Sequence, residues 1–376
     1  MRAIRSAPLY VTRPITPDID KVTELNSQIF RRGIYSNFGP LEQELTRKLG
    51  ERFGTSDLLL FNNGTIALLI ALMALPKRKG HFLTSPFTFP ATVHCIKLAG
   101  YDVKFVDIDS RTLNIDPEKV ADACDEETVG IVAVHVYGNP CNIEELHRIC
   151  QEKDLYEIYD AAHCFDVYEN GSAIYLAGDA SIASFHATKI MHTGEGGAVF
   201  FKRRELALSA KSTMNFGIHG EDSVSGLGIN GKLSEFNAAI GLAVLPLVGT
   251  DIERRRAIAR LYDSGLSGIE GLRLPLFRPS VTRNYQYYPI LIDEASGYSR
   301  DEVYSRLRTR NIFARKYFFP LLSNCLPYSE YKNLPLPNGE LASRQALCLP
   351  IHSEMTSEDV EEIVDTIKLI ALEVNR

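Results

Sequence analysis

Four short segments carry residue types whose chemistries fit together. The first is SFHATK, Ser184 to Lys189, directly after the apolar run SIASF. A lysine at a strand end among small and hydroxyl residues can be an ordinary solvated amine. Desolvated and partly deprotonated, the same amine can form a Schiff base with a carbonyl cofactor. The second segment is YEIYDAAH, Tyr156 to His163, in which Asp160 closes an apolar run 29 residues before Lys189. An Asp there commonly caps the next helix. Buried instead, it would keep a heteroaromatic nitrogen protonated, as pyridoxal phosphate (PLP) requires if its ring is to accept electrons.

The third segment is NNGTIALLIAL, Asn62 to Leu72. Gly64 lets the chain turn tightly, and the free amides of a helix start, with the Thr65 hydroxyl, can hold a phosphate. Taken alone, the fragment favours a plain glycine turn with a Thr cap. It does not match GxxxxGK[ST], so a P-loop nucleotidase is disfavoured. The fourth segment is SPFTFPATVHC, Ser85 to Cys95, in which Phe89 is either core, the usual fate of a Phe, or a ring stacked on a planar ligand. The chain has 17 Tyr and 18 Phe but no Trp, so stacking falls to Tyr, Phe or His.

The elements that must position these residues alternate from about residue 55 to 205. LLLFNN leads into GTIALLIALMAL, HFLTSPFTF into PATVHCIKLAG, and VGIVAVHVYG into IEELHRICQEK; YDVKFVDI, YEIYDAA, SIASFHAT and GAVFFKR supply further strand runs. Nearly continuous apolar runs such as IVAVHV suit a sheet covered on both faces. Alternation with helices predicts an α/β fold with a mainly parallel sheet, whose ligands bind at the carboxyl ends of the strands. Asn142 with Glu145, and Thr356 with Asp359, read as capping boxes. After Gly249 a charged helix, DIERRRAIARLYDSGL, precedes an aromatic strand, NYQYYPILID, and two more helices. We therefore expect a large domain over 1–249 and a smaller α/β domain over 250–376, in line with a length of 376 residues.

Composition excludes several classes. The charge balance, 41 − 47 = −6, supplies no general attraction for nucleic acid or anionic lipid. Seven cysteines, an odd number without a CxxC pair, fit neither a disulfide scaffold nor a zinc ribbon, and predict reduced thiols in a cytoplasmic protein with no metal. The N-terminus lacks the apolar core of a secretory signal. The longest apolar run, Ile66 to Leu75, is about half the roughly 20 residues of a membrane helix. It reads as a buried helix. No GxGxxG follows the first strands, which disfavours an NAD-linked enzyme.

The order GT, TFxAT, DAAH, SxxxTK covers a cofactor's phosphate, ring face, ring nitrogen and carbonyl carbon. With GIYSNFGPLEQELTRKLGERFG, GINGKLSEFNAAIG and LCLPIHSEMT, the chain resembles the DegT/DnrJ family of PLP-dependent nucleotide-sugar aminotransferases over nearly its full length. The resemblance implies the fold type I aminotransferase architecture. It implies that Lys189 joins the cofactor covalently, Asp160 pairs with the pyridinium nitrogen, His163 lies near the 3-hydroxyl and Phe89 stacks on the ring. Gly64, Thr65 and Ser184 then contact the phosphate within one chain. Asn230 reaches the phosphate from the neighbouring subunit, giving a homodimer with shared active sites; here Gly231 and Lys232 stand where many relatives have a bulkier residue and Arg. A dehydrating branch of the family carries His in place of the lysine, so Lys189 implies amino transfer. SFHATKIMHTGEGG, NFG at 215–217 and FARKYFFPLL at 313–322 resemble the branch that aminates C4 of dTDP-4-keto-6-deoxy-D-glucose with L-glutamate, giving dTDP-4-amino-4,6-dideoxy-D-glucose for O-antigen or glycoside synthesis. His186, Arg315 and Tyr317 would contact the nucleotide sugar, with Arg315 and Lys316 the first sources of positive charge. The alternatives are amination at C3 and a PLP-binding regulator without turnover.

Overall fold

The computed structural model describes residues 5–76 and 78–374. At its centre lies a seven-stranded sheet of β1 (Leu58–Phe61), β2 (His81–Thr84), β3 (Asp102–Phe105), β4 (Thr128–Val134), β5 (Tyr156–Asp160), β6 (Ala180–Ser184) and β7 (Gly197–Phe201), in the spatial order β1-β7-β6-β5-β4-β2-β3. Neighbours from β6 to β3 run parallel, and β7 alone is antiparallel to both its partners. All seven residues of β4 are buried. Alternate residues of β7 feed opposite faces: Ala198 and Phe200 join one apolar core with Leu45, Leu49 and Phe53, while Val199 and Phe201 join another with Leu68 and Leu72. Coverage of both faces is what makes the strands apolar throughout rather than alternating.

Register brings the chemistry-bearing ends together. Val134 pairs with Asp160, Asp160 with Ile182, and Gly197 with both Ser184 and Phe61. The carboxyl ends of β4, β5, β6 and β1 therefore lie side by side along one edge of the sheet. The apolar run after Phe61 forms the buried helix Gly64–Met73. Its cap is Asn63, whose side chain accepts the Ile66 N–H at 2.8 Å, not Thr65. Asn142 caps Ile143–Lys153 through the Glu145 N–H, but the Glu145 carboxylate bonds to Arg148, so only half of that capping box forms. Thr356 and Asp359 form the reciprocal pair.

Beyond Gly249, strands β8 (Leu272–Arg273), β9 (Tyr288–Ile292) and β10 (Ala346–Leu349) make an antiparallel sheet with β9 in the middle. Helices Val248–Leu266, Arg300–Thr309 and Ser357–Val374 bury apolar side chains with it in a third core. The N-terminal segment joins this core: Leu9 is buried in it, and Leu9–Tyr10 pairs in parallel with Ile312–Phe313. Among the described residues one helical stretch, Glu235–Leu266, is long and apolar enough to cross a membrane by length and composition. Its apolar residues Ala238, Ala239, Leu242 and Val244 are spent in the same core as Leu41 and Leu45. All seven cysteines are free.

Candidate active site

The carboxyl ends of the central strands open onto a cavity of ≈ 930 Å³. A cavity of this size matches those that hold cofactors and small substrates. Gly64, Thr65, Phe89, Asp160, His163, Ser184 and Lys189 all line it, as do His186, Arg315 and Tyr317. Asn230 does not; it is exposed on a segment bridged to Asn215.

Asp160 ends β5 and no helix follows it, so it is not a helix cap. Its Oδ2 accepts the Thr92 hydroxyl at 2.8 Å and its Oδ1 the Ala162 N–H at 3.2 Å. Burial raises its pKa, opposed by those two hydrogen bonds and by Lys189. Lys189 is not a solvated surface lysine. Burial lowers its pKa to about 8, against the attraction of Asp160 and Cys164, and its ammonium nitrogen lies 5.8 Å from the centre of the Tyr287 ring. An amine held near 8 is deprotonated in a useful fraction at neutral pH, the state in which it attacks a carbonyl. Burial also holds His163 well below the usual imidazole value. Its Nδ1 is buried without a hydrogen-bond partner, although its ring is packed between Tyr287 and Phe318. A buried polar atom left unpaired in this way costs about 1–3 kcal/mol unless a ligand satisfies it.

On the other side of the cavity, Gly64 and Thr65 are the first residues of their helix, so their amides precede the first intrahelical bond. Gly64 packs directly on Ser184 at the end of β6. The helix-start amides and the Ser184 hydroxyl thus stand together, a set that can cradle an anion. Phe89, expected either in the core or on a ligand face, is 55% exposed and lies on the cavity wall at the start of the helix Pro90–Leu98. The residues present fit PLP: helix-start amides, an exposed ring, a half-buried carboxylate, an unpaired imidazole nitrogen and a lysine of lowered pKa face one space.

Two residues that the sequence reading passed over hold this arrangement in place. Gln286 is buried; its Oε1 accepts the Ile190 N–H at 2.9 Å and its Nε2 donates to the Thr188 carbonyl at 3.0 Å, so one amide clamps both flanks of Lys189. Asn284 donates from Nδ2 to the carbonyls of His163 and Phe165 and accepts the Gln286 N–H at Oδ1. Both stand in NYQYYPILID, where polar residues alternate with aromatic ones; that alternation is the signal that could have found them.

The family profile described as the DegT/DnrJ/EryC1/StrS aminotransferase family matches residues 18–368. The chain belongs to this family. As an aminotransferase it is 38% identical to a dTDP-4-amino-4,6-dideoxy-D-glucose transaminase of Shigella dysenteriae over 96% of this chain and 99% of that protein. It is likewise 38% identical to the transaminase of that name from Escherichia coli, over 94% of this chain and 96% of the other. Among solved structures, DesI in the presence of its TDP-sugar product superposes with a TM-score of 0.93 at 32% identity, covering 98% of this chain and 94% of DesI. Helicobacter pylori PseC, an aminotransferase of pseudoaminic acid biosynthesis, superposes with a TM-score of 0.90 at 23% identity over 97% of this chain and 99% of PseC, which shows the fold. The fold is the type I aminotransferase architecture expected from the motifs. In this aminotransferase no bulkier residue than Gly231 fits without displacing Ile70, whose Cδ1 would lie 2.5 Å from an added β-carbon, and Lys232 donates to Asn215 Oδ1 at 2.9 Å. Lys316 does not face the cavity; it pairs with Asp301 at 2.6 Å.

Proposed function

We propose that the chain is a PLP-dependent aminotransferase that moves the amino group of L-glutamate to C4 of dTDP-4-keto-6-deoxy-D-glucose. One observation carries the reading: Lys189, with its pKa lowered to about 8, and the half-buried carboxylate Asp160 face the same cavity. When bound, PLP supplies a conjugated ring that accepts electrons from the substrate's α-carbon. The chain supplies the rest. Gly64, Thr65 and Ser184 hold the phosphate, Phe89 covers the ring face, Asp160 keeps the ring nitrogen protonated, and His163 Nδ1 finds its missing partner at the 3-hydroxyl. The Lys189 amine is placed to act as the base at the donor's α-carbon in one half-reaction and, with the proton transfer reversed, as the acid at C4 of the sugar in the other, so the two substrates would enter in turn. His186, whose Nδ1 is fixed by the Thr188 N–H at 3.2 Å, and Tyr317, packed on Tyr287, border the sugar. The names of the two transaminases at 38% identity support the sugar and the carbon.

Asn230 lies outside the cavity of its own chain, which supports a role at the partner's phosphate site in a homodimer. Seven free thiols fit the cytoplasm. The test is incubation of the PLP-loaded protein with L-glutamate and dTDP-4-keto-6-deoxy-D-glucose, followed by NMR assignment of the new C–N bond. Nitrogen on C4 is expected. Nitrogen on C3, or no aminated sugar while glutamate still converts, would refute the substrate assignment.

A further inference from the structure

After the helix Arg300–Thr309 the chain forms the short strand Ile312–Phe313, bridges from Arg315 to Cys348 and turns at Tyr317. Phe313, Ala314, Arg315 and Tyr317 line the cavity, whereas Lys316 pairs with Asp301. Tyr317 is the inner end of the row: its ring is 5.5 Å from Tyr287, which is 5.8 Å from the Lys189 nitrogen. Phe313 is the outer end. Its Cα partner across the parallel strand pair is Tyr10, and the two rings lie 5.2 Å apart. Tyr10 is 56% exposed although it lines the cavity, so the aromatic pair stands at the rim.

Charge follows the same order. Arg300, Arg306, Arg310 and Lys316 are each held by a carboxylate. Arg308 and Arg315 line the cavity and have no ion-pair partner among the described residues. Arg308 is steadied instead by Tyr304, whose hydroxyl accepts from it at 2.7 Å, and by the Phe313 ring, 4.8 Å from its guanidinium carbon. Arg315, its guanidinium carbon 5.1 Å from the inner Tyr317 ring, and Arg308, beside the outer Phe313 ring, put these two guanidiniums along the same wall, which suits the order sugar, diphosphate, base. Guanidinium groups bind phosphate oxygens in bidentate fashion, and exposed rings stack on bases without needing to read them.

We propose that Tyr10 and Phe313 form the platform for the nucleotide base and that Arg308 joins Arg315 in holding the diphosphate. The assignment rests on the nucleotide-sugar reading above and adds to it a site built from both ends of the chain. Three strands of connection fix the platform: Leu9 N–H bonds to the Asn311 carbonyl at 3.0 Å, Ile351 N–H to the Val11 carbonyl at 3.0 Å, and the Thr12 hydroxyl to the Thr188 carbonyl at 3.2 Å. The last of these ties the platform's own segment to the Lys189 loop.

The experiment measures binding of dTDP alone to the PLP-loaded protein by calorimetry, together with steady-state constants for the keto sugar and the glutamate half-reaction. Tyr10→Ala and Arg308→Ala are expected to weaken dTDP and to raise KM for the nucleotide sugar by about 5- to 100-fold, the range for one base stack or one charge-assisted contact. The glutamate half-reaction should change less than twofold, and Arg308→Lys should recover part of the loss. Tyr10→Phe, which keeps the ring, should bind dTDP as the parent does. Both side chains are exposed, so truncation leaves the fold intact. If the parent binds dTDP and both alanine variants bind it within twofold of the parent, the platform is refuted. If the parent fails to bind dTDP at all, the nucleotide-sugar reading falls with it, so the two failures are distinguishable.

Discussion

A β-carbon placed on Gly64 would lie 3.0 Å from the β-carbon of Ser184. Two residues 120 positions apart, at the ends of strands separated by β7, are thus in contact across the anion cradle. Gly64→Ala should push them apart and weaken PLP binding at least about tenfold, about 1.4 kcal/mol. Ser184→Ala removes one hydrogen bond to a charged group and should cost a comparable amount. Absorbance titration of the apoprotein with PLP measures both; unchanged affinity in Gly64→Ala would remove the cradle from the phosphate site.

Gln286 acts on Lys189 through the backbone on either side of it. Gln286→Leu leaves the Ile190 N–H and the Thr188 carbonyl without these partners, and should destabilise the protein by about 1–3 kcal/mol. A misplaced lysine should also lower kcat by about tenfold or more while KM for glutamate holds, since small displacements of a reacting group are costly. Urea unfolding and steady-state kinetics separate the two effects. Loss of stability with an unchanged kcat would make the clamp structural only.

The depressed Lys189 pKa has a pH signature in the apoprotein. Between about 8 and its ordinary value of 10.5 the folded lysine has released its proton while the unfolded one keeps it. The unfolded state then binds more protons, and stability rises with pH across that window. Buried thiols such as Cys95, pushed up to about 12, act in the opposite direction, so the comparison must be with Lys189→Met. The difference in Tm, parent minus variant, should increase from pH 7.5 to pH 10. A flat difference would mean that the amine titrates normally. The same variant should have no measurable transamination.

His163 carries an unpaired buried nitrogen in the apoprotein. His163→Phe keeps an aromatic ring against Tyr287 and Phe318 and removes the unpaired atom. The apo variant should be at least as stable as the parent, yet bind PLP several-fold more weakly. Thermal melts with and without PLP read the two opposed signs. A variant that loses apo stability and keeps its PLP affinity would show that the imidazole serves packing alone.

Asn230 can be tested by mixing subunits. Lys189→Ala and Asn230→Ala should each be poorly active alone. Refolded together in equal amounts, half the dimers should be mixed, each with one intact site, returning roughly a quarter of parental activity if sites are shared across a two-fold interface. No recovery would place Asn230 in its own subunit's chemistry or outside it.

Local residue order sets which groups are available and where the chain turns. SFHATK, YDAAH and NNGT stand just after apolar runs, and strand-to-loop transitions are set locally by side-chain periodicity and by Gly, so Lys189, Asp160 and Gly64 could be named before their neighbours were known. Helix ends were legible to the same degree: Thr356 and Asp359 cap as expected, because capping acts over three residues. The Thr65 cap expected from the sequence did not form: Asn63, in extended backbone with its side chain on the Ile66 N–H, caps the helix instead.

Tertiary structure decided everything that depends on residues distant in the chain. Strand order places Ser184 beside Gly64, and the segment leading into β9, more than 90 residues further on, brings Gln286 to Lys189. Lys316, one residue from Arg315, was equally plausible as a phosphate ligand until the fold set it against Asp301. Tyr10 carried no local signal at all. It enters the cavity because Leu9–Tyr10 adds to Ile312–Phe313, a pairing some 300 residues apart that no local pattern encodes. The chemistry is a property of residue types; the site is a property of register.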